Sequence, residues 1–231
     1  MSQFLSLDEL DVDGAIRESA EEVAVDSRAG FLRKATAGGV GLIGGAAFLG
    51  ALPKLANAAT IPASDIAILN FALTLEYLEG EFYAEAVRNN KLGLGVTKRF
   101  ATVVAQHEKA HVDFLKKVLG TKAIKKPKFD FKDTTSVKAK FEATADVLEN
   151  TGVHAYLGQV ANIKTKAVLL GAGRILPVEA RHAAWIRQIR FPAAGARGGG
   201  SPQTPAPAAF EDGFSKARIL AAVKATGFIV G

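Results

Sequence analysis

Two short patterns of glutamate recur in the sequence, and each occurs twice. One is Glu-x-x-His and the other is Leu-Glu followed by a tyrosine seven residues after the glutamate. The patterns alternate along the chain, and the glutamates of each half are separated by nearly equal intervals, 32 positions in the first half and 30 in the second. The residues of this repeat are, in order, Glu76, Tyr83, Glu108, His111, Glu149, Tyr156, Glu179 and His182.

The spacing within Glu-x-x-His suits metal binding. Residues three apart on a helix share a face, so each pair directs one carboxylate and one imidazole toward the same point. Four carboxylates balance the charge of two divalent ions, whereas four buried carboxylates without metal repel one another. The chain has no cysteine, and oxygen-rich ligation with one imidazole per ion favours iron or manganese over copper or structural zinc. The predicted ligands are Glu76, Glu108, His111, Glu149, Glu179 and His182. A single Glu-x-x-His is more often a surface pair, so the prediction depends on the repeat.

One further glutamate leaves the ligand set open. Glu79 lies three residues after Glu76 and can replace or supplement it. The equivalent position in the second half is Gly152, which favours Glu76 as the ligand and keeps Glu79 in reserve.

The two tyrosines of the repeat and the other two histidines are not predicted to be ligands. Tyr83 and Tyr156 lie seven residues, about two turns, beyond their glutamates, which puts each on the same helix face. They can hydrogen-bond the carboxylates of the cluster, act as redox-active neighbours, or simply pack in the core. His107 and His154 fall outside the repeat and are interpreted as structural or surface residues.

Helical periodicity extends over the segments that carry these residues. We predict helices at 65–89, capped by Ser64, at 96–119, at 136–162, and at 165–190 with a kink at Pro177. The connector 121–133 is long enough to cross the end of a bundle, and a short helix at 214–225 follows a Pro/Gly-rich segment. No segment shows the alternation of polar and apolar residues that is typical of strands. The predicted fold class is therefore all-α, a four-helix bundle with a long crossover between helices two and three.

The first 58 residues differ from the rest. A basic cluster at 27–34 precedes an uncharged stretch at 35–53, and Ala56-Asn57-Ala58 follows as a cleavage sequence. This order predicts an export signal cleaved after Ala58, so that the protein is periplasmic, bound to the cell envelope or secreted. The signal resembles the twin-arginine type, although Ala29 stands where the second arginine belongs. The alternative is a retained membrane anchor. The predicted domains are 1–58, the bundle at 59–190, and the C-terminal segment at 191–231.

The remainder of the chain is basic. Residues 59–231 carry 24 basic and 15 acidic residues, with many lysines between Lys116 and Lys140. Such a run can contact an anionic envelope surface. No aromatic or Arg-rich recognition pattern accompanies it, so we do not expect nucleic-acid binding.

The order of motifs resembles the ferritin-like di-iron carboxylate superfamily. More narrowly, segments 69–79, 107–111 and 178–184 are similar to exported ferritin-like proteins related to desiccation-associated proteins. The resemblance covers about 62–190 and implies a pair of iron or manganese ions held by the six predicted ligands, with a homodimer as one assembly. A Cys-x-x-Cys rubredoxin module is absent, and the short C-terminal helix does not match the helix that completes ferritin cages.

Three functions follow from these patterns. The first is a di-metal oxidoreductase that acts on peroxide, dioxygen or Fe(II), as a ferroxidase, peroxidase or catalase. The second is a non-catalytic metal-binding protein of the envelope that protects against stress or desiccation. The third is a metal-free helical scaffold that binds a partner through its basic face.

Overall fold

The computed structural model describes residues 61–192 and 203–230. These residues form five α-helices: α1 (Ala63–Asn89), α2 (Val96–Leu119), α3 (Lys138–Val160), α4 (Lys166–Arg190) and α5 (Lys216–Thr226). The prediction of an all-α bundle of four long helices and a short C-terminal helix is confirmed. Within the described ranges, no helix combines the length and the apolar character needed to cross a membrane. The predicted export signal lies outside the described residues.

The start of α1 differs from the prediction. The helix begins at Ala63 with Pro62 as its N-cap, so Ser64 lies inside the first turn and does not cap it. The Ser64 hydroxyl instead lies 3.4 Å from the carboxylate of Asp65. At the other end, Asn90 adopts the left-handed conformation (φ 51°) that commonly terminates a helix. Pro177 lies within α4, and the helix continues on both sides of it.

The bundle is built from two helix pairs. α1 packs along α2 and α3 packs along α4, while α1 also contacts α3 and α2 contacts α4. The buried carboxylate of Asp65, near the start of α1, accepts hydrogen bonds from the backbone amides of Lys164 (3.1 Å) and Thr165 (2.8 Å), just before α4. The first residues of α1 and α4 therefore lie at the same end of the bundle.

The crossover between α2 and α3 runs along α1, not across the end of the bundle as the sequence predicted. At its start, the Asn70 side chain bonds the backbone of Lys122 (3.0 Å) and Ile124 (2.9 Å). At its end, the Thr135 hydroxyl donates to Glu85 (2.5 Å), near the end of α1. Because α3 then starts beside the last turn of α1, the two helices are antiparallel and the order of directions is up, down, down, up.

The apolar core forms two clusters, and each motif glutamate lies between them. In α1, Leu73 belongs to one cluster and Phe82 to the other, with Glu76 between them in sequence. The same holds in α4, where Ile175 and Ile186 flank Glu179. The polar site therefore occupies the middle of the bundle, with apolar layers above and below it.

The C-terminal segment packs against the outside of the bundle, on the crossover and on α3. Residues 128–130 of the crossover pair with 228–230, through the Asp130 amide to the Phe228 carbonyl (2.9 Å) and the Val230 amide to the Lys128 carbonyl (2.9 Å). Upstream of α5, the backbone of Phe214 lies against Gly158 of α3, where a Cβ would approach the Phe214 carbonyl oxygen to 2.0 Å. Only glycine fits at that contact.

Candidate metal centre

The structure brings the six predicted ligands together in the middle of the bundle. All are buried, with exposed fractions of 0% for the four glutamates, 2% for His182 and 7% for His111. Their donor atoms form two groups, and within each group the atoms lie within 4.8 Å of one another. One group is Glu76, Glu108, His111 and Glu179, and the other is Glu108, Glu149, Glu179 and His182.

The two groups share a pair of carboxylates. Glu108 on α2 and Glu179 on α4 belong to both, whereas each of the two imidazoles belongs to one group only. This is the arrangement that two adjacent ions with bridging carboxylates require. It follows from the repeat, because each helix hairpin contributes one terminal glutamate and one Glu-x-x-His.

The imidazoles direct Nδ1 at the carboxylates. His111 Nδ1 lies 3.2 Å from Glu76, 3.2 Å from Glu108 and 3.1 Å from Glu179. His182 Nδ1 lies 3.1 Å from Glu108 and 3.2 Å from Glu149. Each nitrogen therefore faces several oxygens at once, as a donor atom in a shared coordination sphere does.

Three buried carboxylate oxygens provide a direct test of whether the site fits metal. Oε1 of Glu108 and both oxygens of Glu179 accept no well-aligned hydrogen bond within the described ranges, although Oε1 of each lies 3.1 Å from an imidazole nitrogen. A buried carboxylate oxygen without such a bond is costly, and native proteins rarely retain one without an ion or water. These oxygens belong to the two shared glutamates, so the residues present fit two cations.

The tyrosines connect the two halves of the repeat. The Tyr83 hydroxyl on α1 donates to Glu149 on α3, and the Tyr156 hydroxyl on α3 donates to Glu76 on α1. Each tyrosine thus holds the terminal glutamate of the other hairpin. Burial and the neighbouring carboxylates raise the pKa of both phenols well above their ordinary value, so they stay protonated as donors.

Without metal, the cluster retains protons. Burial raises the pKa of Glu76 to about 7 and that of Glu179 well above its ordinary value. Burial opposes charge on His111 and His182 too, but the carboxylates around them raise the pKa of both imidazoles well above the usual range. The exception is Glu108, whose pKa is lowered because its contacts with the two imidazoles outweigh its burial. Metal binding therefore has to displace protons.

Glu79, held in reserve as a ligand, lies beside the cluster but in neither donor group. Its Oε1 lies 3.3 Å from the point where a Cβ on Gly152 would stand, and Oε2 of Glu179 lies 3.1 Å from that same point. Burial, followed by repulsion from Glu179 and Glu149, raises the pKa of Glu79 well above its ordinary value. A protonated Glu79 leaves four charged carboxylates for two divalent ions.

His107 is placed differently from its interpretation as a structural or surface residue. Its Nδ1 lies 2.8 Å from Nε2 of His182, and the two rings are nearly parallel (18°) and meet edge to edge, with centroids 5.1 Å apart. Sequence reasoning missed this contact because His107 lies outside the repeat. The only available indication was its position next to Glu108.

His154 has a structural position, in agreement with the prediction. Its Nδ1 lies 2.6 Å from the backbone carbonyl of Asp212, and its ring stacks on Phe214 at 4.1 Å. The backbone carbonyl of His154 also accepts a hydrogen bond from the Phe214 amide (2.9 Å). These contacts attach the segment before α5 to α3.

Comparison with known proteins identifies the fold family. The family described as "Ferritin-like domain" matches residues 64–191, which include all four bundle helices. Comparison with curated proteins gave no match. The matched region covers more than half of the chain and contains every residue of the buried carboxylate and imidazole cluster. The chain belongs to the ferritin-like domain family.

Proposed function

We propose that this protein binds a pair of iron or manganese ions and uses them in redox chemistry on a small oxidant. The observation that carries the proposal is the pair of overlapping donor groups, each with three carboxylates and one imidazole, joined by Glu108 and Glu179. Carboxylate-rich sites with one imidazole per ion suit iron or manganese. Both metals, when bound, supply one-electron changes between the divalent and trivalent states.

The chain's own residues would hold the pair and limit what reaches it. Glu76 and His111 would help to hold one ion and Glu149 and His182 the other, and Glu108 and Glu179 would contribute to both sites. Tyr83 and Tyr156 hold the terminal carboxylates in place. The apolar clusters above and below the site shield the ligands from solvent on those two sides.

A solvent-open cavity on the α1–α2 face supports a neutral or anionic substrate. Glu76, Gly80 and Glu81 line the cavity together with the exposed side chains of Lys109, Lys116 and Lys126, and Lys126 pairs with Glu81 (2.6 Å). The three lysines outnumber the two glutamates, which disfavours the approach of free Fe(II) and favours the anion of hydrogen peroxide. We therefore favour peroxide over Fe(II) as the substrate.

Two different reactions can consume hydrogen peroxide at such a site, and both are balanced in atoms and electrons. In disproportionation, one hydrogen peroxide loses two electrons and two protons to become dioxygen, and a second takes them up to become two waters. In peroxidase chemistry, an external donor supplies the two electrons and solvent supplies the two protons. The cluster residues pass through no covalent intermediate in either case.

The test is peroxide consumption by protein loaded separately with Fe(II) and with Mn(II). Dioxygen release without a donor indicates disproportionation, and consumption that needs a donor indicates peroxidase chemistry. The variant Glu149→Gln should lose activity, while Glu211→Gln, at an exposed carboxylate remote from the cluster, should keep it. Metal-loaded protein with no turnover on peroxide, dioxygen or Fe(II) would contradict the redox function and favour the non-catalytic metal-binding alternative.

Export through the signal at 1–58 is part of the proposal. It is supported by the order of basic cluster, apolar stretch and Ala-Asn-Ala in the sequence. Mass spectrometry of the protein recovered from the producing cells should find a mature chain that begins at Ala59. A full-length chain retained in the cytoplasm would contradict export.

A further inference from the structure

The contact between His107 and His182 has a specific chemical consequence for the site. His182 has two ring nitrogens, and Nδ1 faces Glu108 and Glu149 at 3.1 and 3.2 Å. The other nitrogen, Nε2, faces Nδ1 of His107 at 2.8 Å, a hydrogen-bonding distance. One nitrogen of His182 is thus directed into the cluster and the other is engaged by a second imidazole.

A hydrogen bond between two imidazoles fixes both tautomers. A nitrogen that binds a cation through its lone pair carries no proton, so His182 must hold its proton on Nε2 when Nδ1 is a ligand. That N–H can donate only to an acceptor, so Nδ1 of His107 must be unprotonated and its own proton must lie on Nε2.

The second half of the repeat has no such partner at the equivalent position. His107 directly precedes Glu108, and the residue that directly precedes Glu179 is Val178. A valine side chain has no hydrogen-bond acceptor, so this position cannot serve His111 in the same way. The six ligands are therefore related by an approximate two-fold symmetry that the residues next to them, His107 and Val178, do not share.

We propose that His107 is a positioning residue that holds His182 with Nδ1 toward the cluster and makes the two metal positions inequivalent. The position built from Glu149 and His182 binds its ion more tightly than the position built from Glu76 and His111, because a hydrogen bond to the far nitrogen orients an imidazole ligand and increases its basicity. The proposal rests on the metal centre described under Proposed function. It adds an order of loading, with the His182 position filled first.

The test is a titration of metal-free protein with Mn(II) alone, with free Mn(II) measured by its EPR signal. The wild type should bind its two ions in two separable steps. The variant His107→Phe keeps an aromatic ring at this position but removes the acceptor, and it should weaken the tighter step by roughly ten-fold or more while the other step stays unchanged. His107→Gln retains an acceptor oxygen and should recover most of the affinity. Circular dichroism and thermal unfolding of the metal-free variants show that each is folded before titration.

The outcomes separate this inference from the metal centre itself. Two separable steps in the wild type and one weakened step in His107→Phe support the role of His107. Equal weakening of both steps, or no change in either, overturns it and leaves the metal centre intact. A wild type that binds no Mn(II) and no Fe(II) contradicts the metal centre on which the inference rests.

Discussion

At the residue scale, the cluster depends on contacts between the two hairpins. Tyr83 and Tyr156 each donate to a glutamate that belongs to the opposite half of the repeat. A hydroxyl that donates to a carboxylate holds its oxygens in one orientation and removes rotational freedom before the ion arrives. We therefore expect the tyrosines to contribute to metal affinity, although neither is placed among the donor groups.

Removal of one hydroxyl tests this contribution. Tyr156→Phe leaves the buried ring but frees Glu76, and a hydrogen bond to a charged group is worth about 1.5–3 kcal/mol. We expect Mn(II) binding at the Glu76 and His111 position to weaken roughly ten-fold or more, as measured by titration. Tyr83→Phe should act on the Glu149 and His182 position instead. If the tyrosines only pack in the core, neither variant changes either affinity.

The sequence predicted the members of the cluster but not all of their partners. Three-residue spacing on one helix determines that Glu108 and His111 share a face, whatever the neighbouring helices do. In contrast, the contact of Tyr83 with Glu149 and that of His107 with His182 depend on how two helices are rotated against each other. No spacing within a single helix contains that information. For Tyr83, a hydrogen bond to a carboxylate of the cluster was one of three roles left open by the sequence, and the partner on the opposite hairpin is determined only by packing.

At the element scale, Asp65 connects two helices that are distant in sequence. Its carboxylate is fully buried and accepts the amides of Lys164 and Thr165 at the start of α4. Burial opposes its charge, but the hydrogen bonds from Thr165 and Lys164 outweigh burial and lower its pKa. The positive end of the α4 dipole favours the same anion. The entry into α4 is therefore held by a residue of α1.

Substitution of Asp65 should destabilise the bundle without a direct effect on metal ligands. Asp65→Ala leaves two backbone amides without their acceptor, at a cost of about 2 kcal/mol. For a chain of this length, the melting temperature of the metal-free protein should fall by roughly 4–8 °C. Ser64→Ala is the matched control, because Ser64 does not cap α1, and it should change the melting temperature little. A large effect of Ser64→Ala with none from Asp65→Ala would contradict this assignment.

Ser64 and Asp65 also explain why the predicted N-cap of α1 was wrong. A serine before a helical pattern is a good capping candidate by local rules, but the adjacent aspartate is bound to a loop 99 positions away. The long crossover between α2 and α3 was predicted correctly, but its route was not. Its length is compatible with crossing the end of the bundle, and only the contacts of Asn70 and Thr135 show that it follows α1. Helix existence is local and was predicted well, whereas connections are decided by tertiary contacts.

At the scale of the whole molecule, stability and metal binding are linked through protons. The pKa of Glu76 rises to about 7 on folding, mainly because of burial. The folded chain therefore binds more protons than the unfolded chain between pH 4.5, the ordinary value, and about 7, and stability falls as pH rises through this window. Glu179, His111 and His182 also have raised pKa values and act in the same direction. Glu108 acts in the opposite direction, but only where the pH falls below its ordinary value.

Metal should reverse this dependence. We expect the melting temperature of the metal-free protein to fall between pH 5 and pH 8, and the increase caused by Mn(II) to grow over the same interval, because fewer protons then compete for the ligands. Scanning calorimetry with a chelator and with Mn(II) measures both. Glu76→Gln removes one of the titrating groups and should flatten the metal-free curve. A metal-free melting temperature that rises across this interval would contradict the electrostatic description of the cluster.

The central claim is that the buried cluster holds two metal ions, and metal content tests it most directly. Protein purified from its native cells, without added metal or chelator, should contain about two iron or manganese ions per chain by elemental analysis. The variants Glu149→Ala and His182→Ala should each lower that number, while Glu211→Gln should not. The absence of bound iron and manganese in the wild type, or an unchanged metal content in both ligand variants, would contradict the account.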